Sequence, residues 1–401
     1  MSIDRDEKII IDNSFDDRYS RFRLIPWWDQ GKLKNAKVFV VGAGALGNEI
    51  LKNLALLGVG NILIADIDNI ENSNLSRSIL YREKDEGYSK AQIAANSVKD
   101  INPDCSVHWL HSNVVYDLGL GVYRWADVVF GGLDNREARL SINQGCCKVN
   151  TPWIDGAIEV MFGTVKVFIP HETACYECTM NEVDKKMLNI RRSCAMLSRK
   201  EMLEGKVPTT PTLASIIAGM QVQEALKLIH NREELPTLAG KGLFINGLTH
   251  DSYVINYTVK EDCLSHEYYP DIQEVALGIK STSLKQLLQF VRKEIDENAV
   301  LELERDIIYS LKCNKCNTEE EVYKSLGKVS EDDAFCTKCG QMRAPEMTHT
   351  INGSESFLNF TLEELEIPGM EVFTVRTDKK THYIELTADR QAILGELGNK
   401  Y

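Results

Sequence analysis

Nowhere in the 401-residue chain does an apolar run approach the roughly eighteen residues that a membrane-spanning helix needs. Met1–Asp17 is polar and acidic and lacks the apolar stretch of a secretory leader. Basic residues are in the minority: 46 Lys and Arg against 59 Asp and Glu give a net charge of −13. A nucleic-acid backbone is thereby excluded as the main partner, because neutralising phosphates needs a basic surface. No internal repeat and no low-complexity tract is present. The expectation is a cytoplasmic protein with no membrane and no nucleic-acid partner, its acidity serving solubility. In such a compartment eleven cysteines point to metal or catalysis rather than to disulfides.

What is present divides the chain. Ala36–Gly42 is an apolar run that predicts a buried strand ending at a glycine turn. Ala45–Leu57 has helical apolar spacing, Asn61–Ala65 reads as a strand, Lys90–Ile101 as a helix, and Ser106–Leu110 and Ala126–Gly131 as strands. Alternating strand and helix implies a parallel sheet with helices on both faces. Thr151–Ile169 breaks the alternation with two strand-like stretches, Pro211–Ile229 is a long apolar helix, and Gly242–Val259 reads as a hairpin. These add antiparallel strands to the sheet. The first domain is expected over residues 1–268. Tyr268–Lys280 is read as a connection, followed by a helix at Ser283–Ile295, a cysteine cluster, and a strand-rich close around Glu371–Leu386; a second, smaller domain is expected over 269–401.

The chemistry begins at Gly42-Ala43-Gly44-Ala45-Leu46-Gly47, with Asp66 nineteen residues beyond Gly47. A glycine turn before a helix, then an acid at that distance, reads as a nucleotide site: phosphates at the helix N-terminus, carboxylate on a ribose hydroxyl. A nicotinamide dehydrogenase would account for Gly42, Gly44, Gly47 and Asp66. It leaves Asn74, Arg77, Lys90 and Asp134 without a role. Cations beside the ribose contact suit an enzyme that cleaves ATP between its α- and β-phosphates, where charge spreads over phosphate oxygens in the transition state.

Arg18-Tyr19-Ser20-Arg21, the glycine turn, Asp66-Ile67-Asp68, Ser73-Asn74-Leu75-Ser76-Arg77, Lys90 and Leu133-Asp134-Asn135-Arg136 occur in this order. The ordered set resembles the adenylating enzymes of the ThiF/MoeB type that activate ubiquitin-like and sulfur-carrier proteins, over roughly the first two-thirds of the chain. For that part the resemblance implies an α/β fold, a Rossmann-like adenylation domain with a mixed, mainly parallel sheet; the pattern of the residues beyond it reads as a smaller α+β domain containing a zinc ribbon. The resemblance also implies that Asp66 holds the ribose, that Asn74, Arg77 and Lys90 contact the phosphates, and that Asp134 binds Mg²⁺, a hard cation suited to carboxylate and phosphate oxygen. The arginine matching Arg21 reaches the ATP of the opposite subunit in that family, which implies a homodimer.

Seven cysteines and one histidine fall into paired spacings. Cys175-x-x-Cys178 and Cys263-x-x-His266 form one candidate zinc set; the resembled family usually has a cysteine where His266 stands. Cys313-x-x-Cys316 and Cys336-x-x-Cys339, with nineteen residues between the pairs, have zinc-ribbon spacing. Two Zn²⁺ sites are expected, the second structural because four thiolates leave no open position. Cys105, Cys146 and Cys147 read as packing residues. Cys194 differs. It lies in a polar segment, 181–207, with Arg191, Arg192, Arg199 and Lys200, and neighbouring cations favour the nucleophilic thiolate.

By the resemblance this segment crosses over the bound protein tail and carries the cysteine that accepts it as a thioester. Cys194 lies fourteen residues before Pro208, farther from the following helix than is usual in the family. The resulting expectation is adenylation of the C-terminal glycine of a ubiquitin-like protein, capture on Cys194, and transfer to a conjugating enzyme, as in a bacterial conjugation pathway. A sulfur-carrier adenylyltransferase of the molybdopterin or thiamin type, and a non-catalytic scaffold on the same fold, remain as alternatives. Residues 269–401 contain no rhodanese nucleophile loop, and a zinc-ribbon domain suits partner docking.

Overall fold

The computed structural model describes residues 17–181 and 208–400. Cys194 and the cations around it lie outside the described residues. An eight-stranded sheet has the order β3-β2-β1-β4-β5-β6-β7-β8. Its parallel half comprises β1 (Lys37–Val41), β2 (Asn61–Ala65), β3 (Ser106–Leu110), β4 (Val128–Gly131) and the start of β5 (Trp153–Glu159). These short runs are apolar almost throughout because both sheet faces are covered. Antiparallel β6 (Phe162–Phe168), β7 (Lys241–Asn246) and β8 (Asp251–Asn256) extend it, as the broken alternation implies.

The helices are α1 (Gln30–Asn35), α2 (Ala45–Leu57), α3 (Lys90–Ile101), α4 (Leu120–Trp125), α5 (Arg136–Val149) and α6 (Pro211–His230). Their ends follow local chemistry. Ser89 accepts from Gln92 N at the start of α3, Asn135 from Ala138 N at the start of α5, and Thr210 from Leu213 N just before Pro211. One core lies between the sheet and α2, α3 and α6, with Ile50, Leu54, Ala94, Val98, Ile217 and Val222 fully or nearly buried. The other face carries α4 and α5 over Phe39, Leu63, Val129 and Trp153. Helix α4 is absent from the sequence-based expectation. Among the described residues no helix is long and apolar enough to cross a membrane.

All six strands of a second sheet follow Gln273: β9 (Gln273–Val275), β10 (Val300–Cys313), β11 (Thr318–Ser325), β12 (Ala344–Ile351), β13 (Val372–Arg376) and β14 (Thr381–Leu386). The order is β11-β10-β13-β14-β9, with β12 also on β10. Fourteen-residue β10 spans two regions. Val300–Glu302 pair with β13 and Ile307–Cys313 with β11, while β12 runs beside both stretches, from Leu301 to Lys312. The second half is a three-stranded arm ending at the cysteines. Helix α7 (Leu284–Glu294) buries Leu284, Leu287, Leu288 and Val291 against the sheet, and α8 (Glu331–Ala334) and α9 (Arg390–Leu394) are short.

The two sheets meet closely. Met370, Val372, Leu394 and Leu397 complete the core beneath α4 and α5. A Cβ on Gly119 would fall 2.5 Å from the Gly369 carbonyl oxygen, so the seam admits no side chain there. Arg124 of α4 pairs with Glu385 (2.6 Å) and Glu274 (2.9 Å), and Arg390 pairs with Glu385 (2.9 Å).

Candidate functional site

The parallel strands all end at one edge, and the strand order reverses between β1 and β4, the place where open α/β sheets bind ligands. At that reversal the backbone is tightly packed. Gly42 has φ +94°, and a Cβ on it would lie 2.6 Å from Gly132 O; a Cβ on Gly47 would lie 1.9 Å from Gly42 O. Glycine at these two positions is a packing requirement of the turn. Gly44 is different: a Cβ there meets nothing within 4 Å. It is the N-cap of α2 and supplies no side-chain cap, so a ligand has open approach to the helix N-terminus.

Asp66 braces this turn. Its Oδ2 accepts from Ala43 N (2.6 Å) and its Oδ1 from Asp68 N (2.7 Å). Burial raises its pKa above the ordinary carboxylate value, against the pull of Lys90 and the backbone donors. Asp68 in turn pairs with Lys90 Nζ at 2.7 Å, so Asp66, Asp68 and Lys90 form one connected group beside the glycine turn. Asn74, nearly buried, accepts from Glu71 N (3.0 Å), and Arg77 Nη1 donates to Ser73 O (2.7 Å). Both therefore hold the 71–77 turn. Asp134 emerges exposed after β4, and Gly132 N donates to Val41 O at 2.9 Å, which puts the loop beside the turn.

Arg21 is elsewhere. Arg18 Nη1 donates to Ile101 O (3.2 Å), and Tyr19 accepts from Asn102 Nδ2 (2.8 Å) and lies against Gly58. The segment sits at the far ends of α2 and α3, about 20 Å of helix from Gly44 at roughly 1.5 Å per residue. The structure does not bring Arg21 to the site of its own chain.

Several residues that shape the site escape the sequence motifs. Asn48, fully buried on α2, donates to Ala43 O (2.7 Å) and Gly44 O (3.0 Å) and accepts from Leu80 N (2.9 Å); Tyr81 Oη donates to Ala43 O (2.6 Å). Arg139 donates from Nε to Asp155 Oδ1 (2.8 Å), and from Nη2 to Leu133 O (2.5 Å) and Gly156 O (3.2 Å). It thereby ties the Asp134 loop to the end of β5. Burial opposes its charge, but Asp155 more than offsets this and raises its pKa. Gln221 of α6, with no exposed surface, donates to Gly131 O (3.0 Å) and Ile154 O (3.3 Å). The available signal was a polar residue on an apolar helix face.

Both cysteine sets assemble. Cys175 Sγ lies 3.7 Å from Cys178 Sγ and 3.5 Å from Cys263 Sγ, and Cys178 Sγ lies 3.3 Å from His266 Nε2. Cys313 Sγ lies 3.6 Å from Cys339 Sγ, with Cys316 and Cys336 completing the second set. In each group all four donor atoms fall within 4.8 Å of one another. A tetrahedral ion with metal–sulfur bonds of about 2.3 Å would separate its thiolates by about 3.8 Å, so both donor sets fit zinc. Cys105, Cys146 and Cys147 are buried.

The ThiF family model matches residues 17–265. The chain is 31% identical to the SAMP-activating enzyme E1 of Haloferax volcanii over 256 residues, covering 62% of this chain and 87% of that one. It is 39% identical over 183 residues to the NEDD8-activating enzyme E1 catalytic subunit of Caenorhabditis elegans, covering 41% of this chain and 42% of the relative. A probable molybdopterin-synthase adenylyltransferase of Pyropia yezoensis is 34% identical over 235 residues, 58% of this chain and 59% of the relative. Less than half of the NEDD8-activating subunit is thus spanned. Among solved structures, E. coli MccB with AMPCPP and MccA has a TM-score of 0.51 at 25% identity, covering 63% of this chain and 74% of that one.

Proposed function

The chain belongs to the ThiF family, and from that membership we propose that it adenylates the C-terminal glycine of a ubiquitin-like protein, using ATP. The observation that carries this reading is the group at the strand reversal: an open helix N-terminus at Gly44, Asp66 beside it, Lys90 held by Asp68, and Asp134 exposed in the loop after β4. A carboxylate oxygen of the substrate protein attacks the α-phosphorus, the bond to the β-phosphate oxygen breaks, and pyrophosphate leaves. Asp66 would orient the ribose. Lys90 and Arg77, exchanging Asp68 and the Ser73 carbonyl for phosphate oxygens, would neutralise the charge that develops there. Asp134 would hold Mg²⁺, which supplies further charge neutralisation on the phosphates.

In a second step the Cys194 thiolate would attack the acyl carbonyl and release AMP, giving a thioester for a conjugating enzyme. The polar surroundings of Cys194 in the sequence support this step. Two features support further parts of the reading. Phe162, Phe244, Tyr253 and Ile255 share the sheet face opposite α6, and Phe162 and Tyr253 are more than half exposed. Asp155 lies on this same face, so a protein seated there could deliver its tail toward the nucleotide. The distance of Arg21 from its own site supports its use by a second copy in a homodimer. The two cysteine sets would hold Zn²⁺ and fix loops rather than react.

The test combines the protein with ATP, magnesium and a candidate ubiquitin-like protein, followed by pyrophosphate exchange and a non-reducing gel beside Cys194→Ser. Exchange with a thiol-sensitive band that is lost in Cys194→Ser is the expected outcome. Exchange without any covalent band would favour the sulfur-carrier adenylyltransferase, a reading supported by the likeness to the Pyropia relative. No exchange with Asp134 intact, across the available carrier proteins, would leave the scaffold reading in its place.

A further inference from the structure

The loop after β3, Asn113–Leu118, is gripped from the second sheet. Arg305 of β10 donates from Nε to Val115 O (3.2 Å) and from Nη2 to Leu118 O (3.2 Å). Lys328, in the turn after β11, pairs with Asp117, whose other carboxylate oxygen accepts from Asn113 N (2.6 Å). Gly327, at φ +90°, lies against the ring of Tyr116, where a Cβ would come within 2.3 Å of the ring. The inner side of the same loop meets α5. Tyr116 Oη donates to Glu137 Oε1 (3.2 Å) and Ser141 Oγ to Val114 O (3.4 Å). Glu137 stands in the first turn of α5, three residues after Asp134.

We propose that the second sheet serves as a strut for the nucleotide site: Arg305, Gly327 and Lys328 fix the 113–118 loop, and Tyr116 passes that constraint to the start of α5 and so to Asp134. The physical reason is twofold. A loop clamped by charge and backbone contacts on one side can transmit position to the other only through a stiff group, and the Tyr116 ring is that group. Its hydrogen bond also keeps the Glu137 carboxylate turned toward the phenol. Tyr116 and Lys328 are positioning residues: they act through the loop and touch no reacting atom. Arg305, Gly327 and Lys328 all lie beyond residue 265, outside the part matched by the family. The catalytic consequence rests on the adenylation reading, while the mechanical link does not.

The experiment uses the full chain as wild type, Tyr116→Phe, Lys328→Ala and Gly327→Ala. Amide hydrogen exchange is followed in the ligand-free protein, and ATP is titrated calorimetrically with and without magnesium. Tyr116→Phe should quicken exchange at residues 136–141 and reduce the magnesium-dependent gain in ATP affinity about 3- to 10-fold, with ATP binding in the absence of magnesium unchanged. Lys328→Ala should loosen the 113–118 amides in addition, and Gly327→Ala should displace the ring and act at least as strongly as Tyr116→Phe. Unchanged protection at 136–141 in both Tyr116→Phe and Gly327→Ala would overturn the strut. Faster exchange there with an unaltered magnesium effect would break its link to the site, and a wild type that binds no ATP would overturn both. Normal ATP and magnesium binding without pyrophosphate exchange on any carrier protein would defeat the adenylation reading alone, the two binding measurements still deciding the strut.

Discussion

The two cysteine clusters have nearly the same donors and very different surroundings. Cys175, Cys178, Cys263 and His266 close over a region that is already built: Cys147 and Ala174 are buried against the thiols, and Tyr176, between the two cysteines, packs into the core under α5. Cys313, Cys316, Cys336 and Cys339 close the tip of the three-stranded arm, whose own buried apolar side chains are Ile308, Leu311 and Val329. In the first place a metal would pin chain segments to a large core. In the second it would stand in for a core that is too small, as in other small domains.

The largest effect should come from the arm. Cys336→Ser is expected to lower bound zinc by one equivalent and to abolish amide protection through β11 and the 336–339 turn. Retained protection there would erase the contrast between the clusters. Cys175→Ser should also lower zinc by one equivalent while both sheets stay folded, at a stability loss on the order of 4 kcal/mol in thermal or denaturant unfolding. Loss of all protection in the first sheet would show that it too depends on its metal.

The seam that carries the arm should be sensitive to pH. Burial pushes the Glu371 carboxyl up to about 7, with Arg305 opposing, and its oxygens accept from Leu120 N (3.3 Å) and Arg305 Nη1 (3.2 Å). The folded pKa lies above the unfolded value, so the stabilisation is complete below the unfolded pKa and is lost as pH rises through about 7. The change amounts to at most about 3 kcal/mol, from roughly 1.4 kcal/mol per pKa unit. Denaturant midpoints measured between pH 5 and 8 should fall, and Glu371→Gln should flatten the trend. The smallest effect gives the scale of a contact made without metal: Asn135→Ala, which removes the cap on α5, should cost about 1 kcal/mol, read as a shift in the denaturant midpoint.

Much of the first sheet is legible in the sequence because its signals are local. Lys37–Val41 and Asn61–Ala65 are apolar runs of strand length, Gly42 and Gly47 are required by the turn they form, and paired cysteines announce themselves by spacing. Helix α4 is not legible in this way. Its six residues are too few to establish a period, and Gly119 and Gly121 are explained by the approach of residues 369–370, far away in sequence. Arg139, Gln221 and Tyr116 are hidden for the same reason: each is a polar side chain whose partner is fixed by tertiary packing, so no spacing reveals it. In the second sheet, three-residue β9 passes for a connection, and β10 exchanges β13 for β11 between Glu302 and Ile307 and shifts register between Ile308 and Ser310, which a pattern of alternating residues does not disclose.

Asp117 and Lys328 are 211 residues apart, and this separation has a consequence for the chain as it is made. At about 5–20 residues per second, the ribosome delivers Lys328 roughly 10 to 40 s after Asp117. The glycine turn and its strands can pack in that interval, but the clamp on the 113–118 loop cannot form until the arm emerges. A nascent chain would therefore carry the first sheet with its 113–118 loop unclamped on that side until the last third has docked.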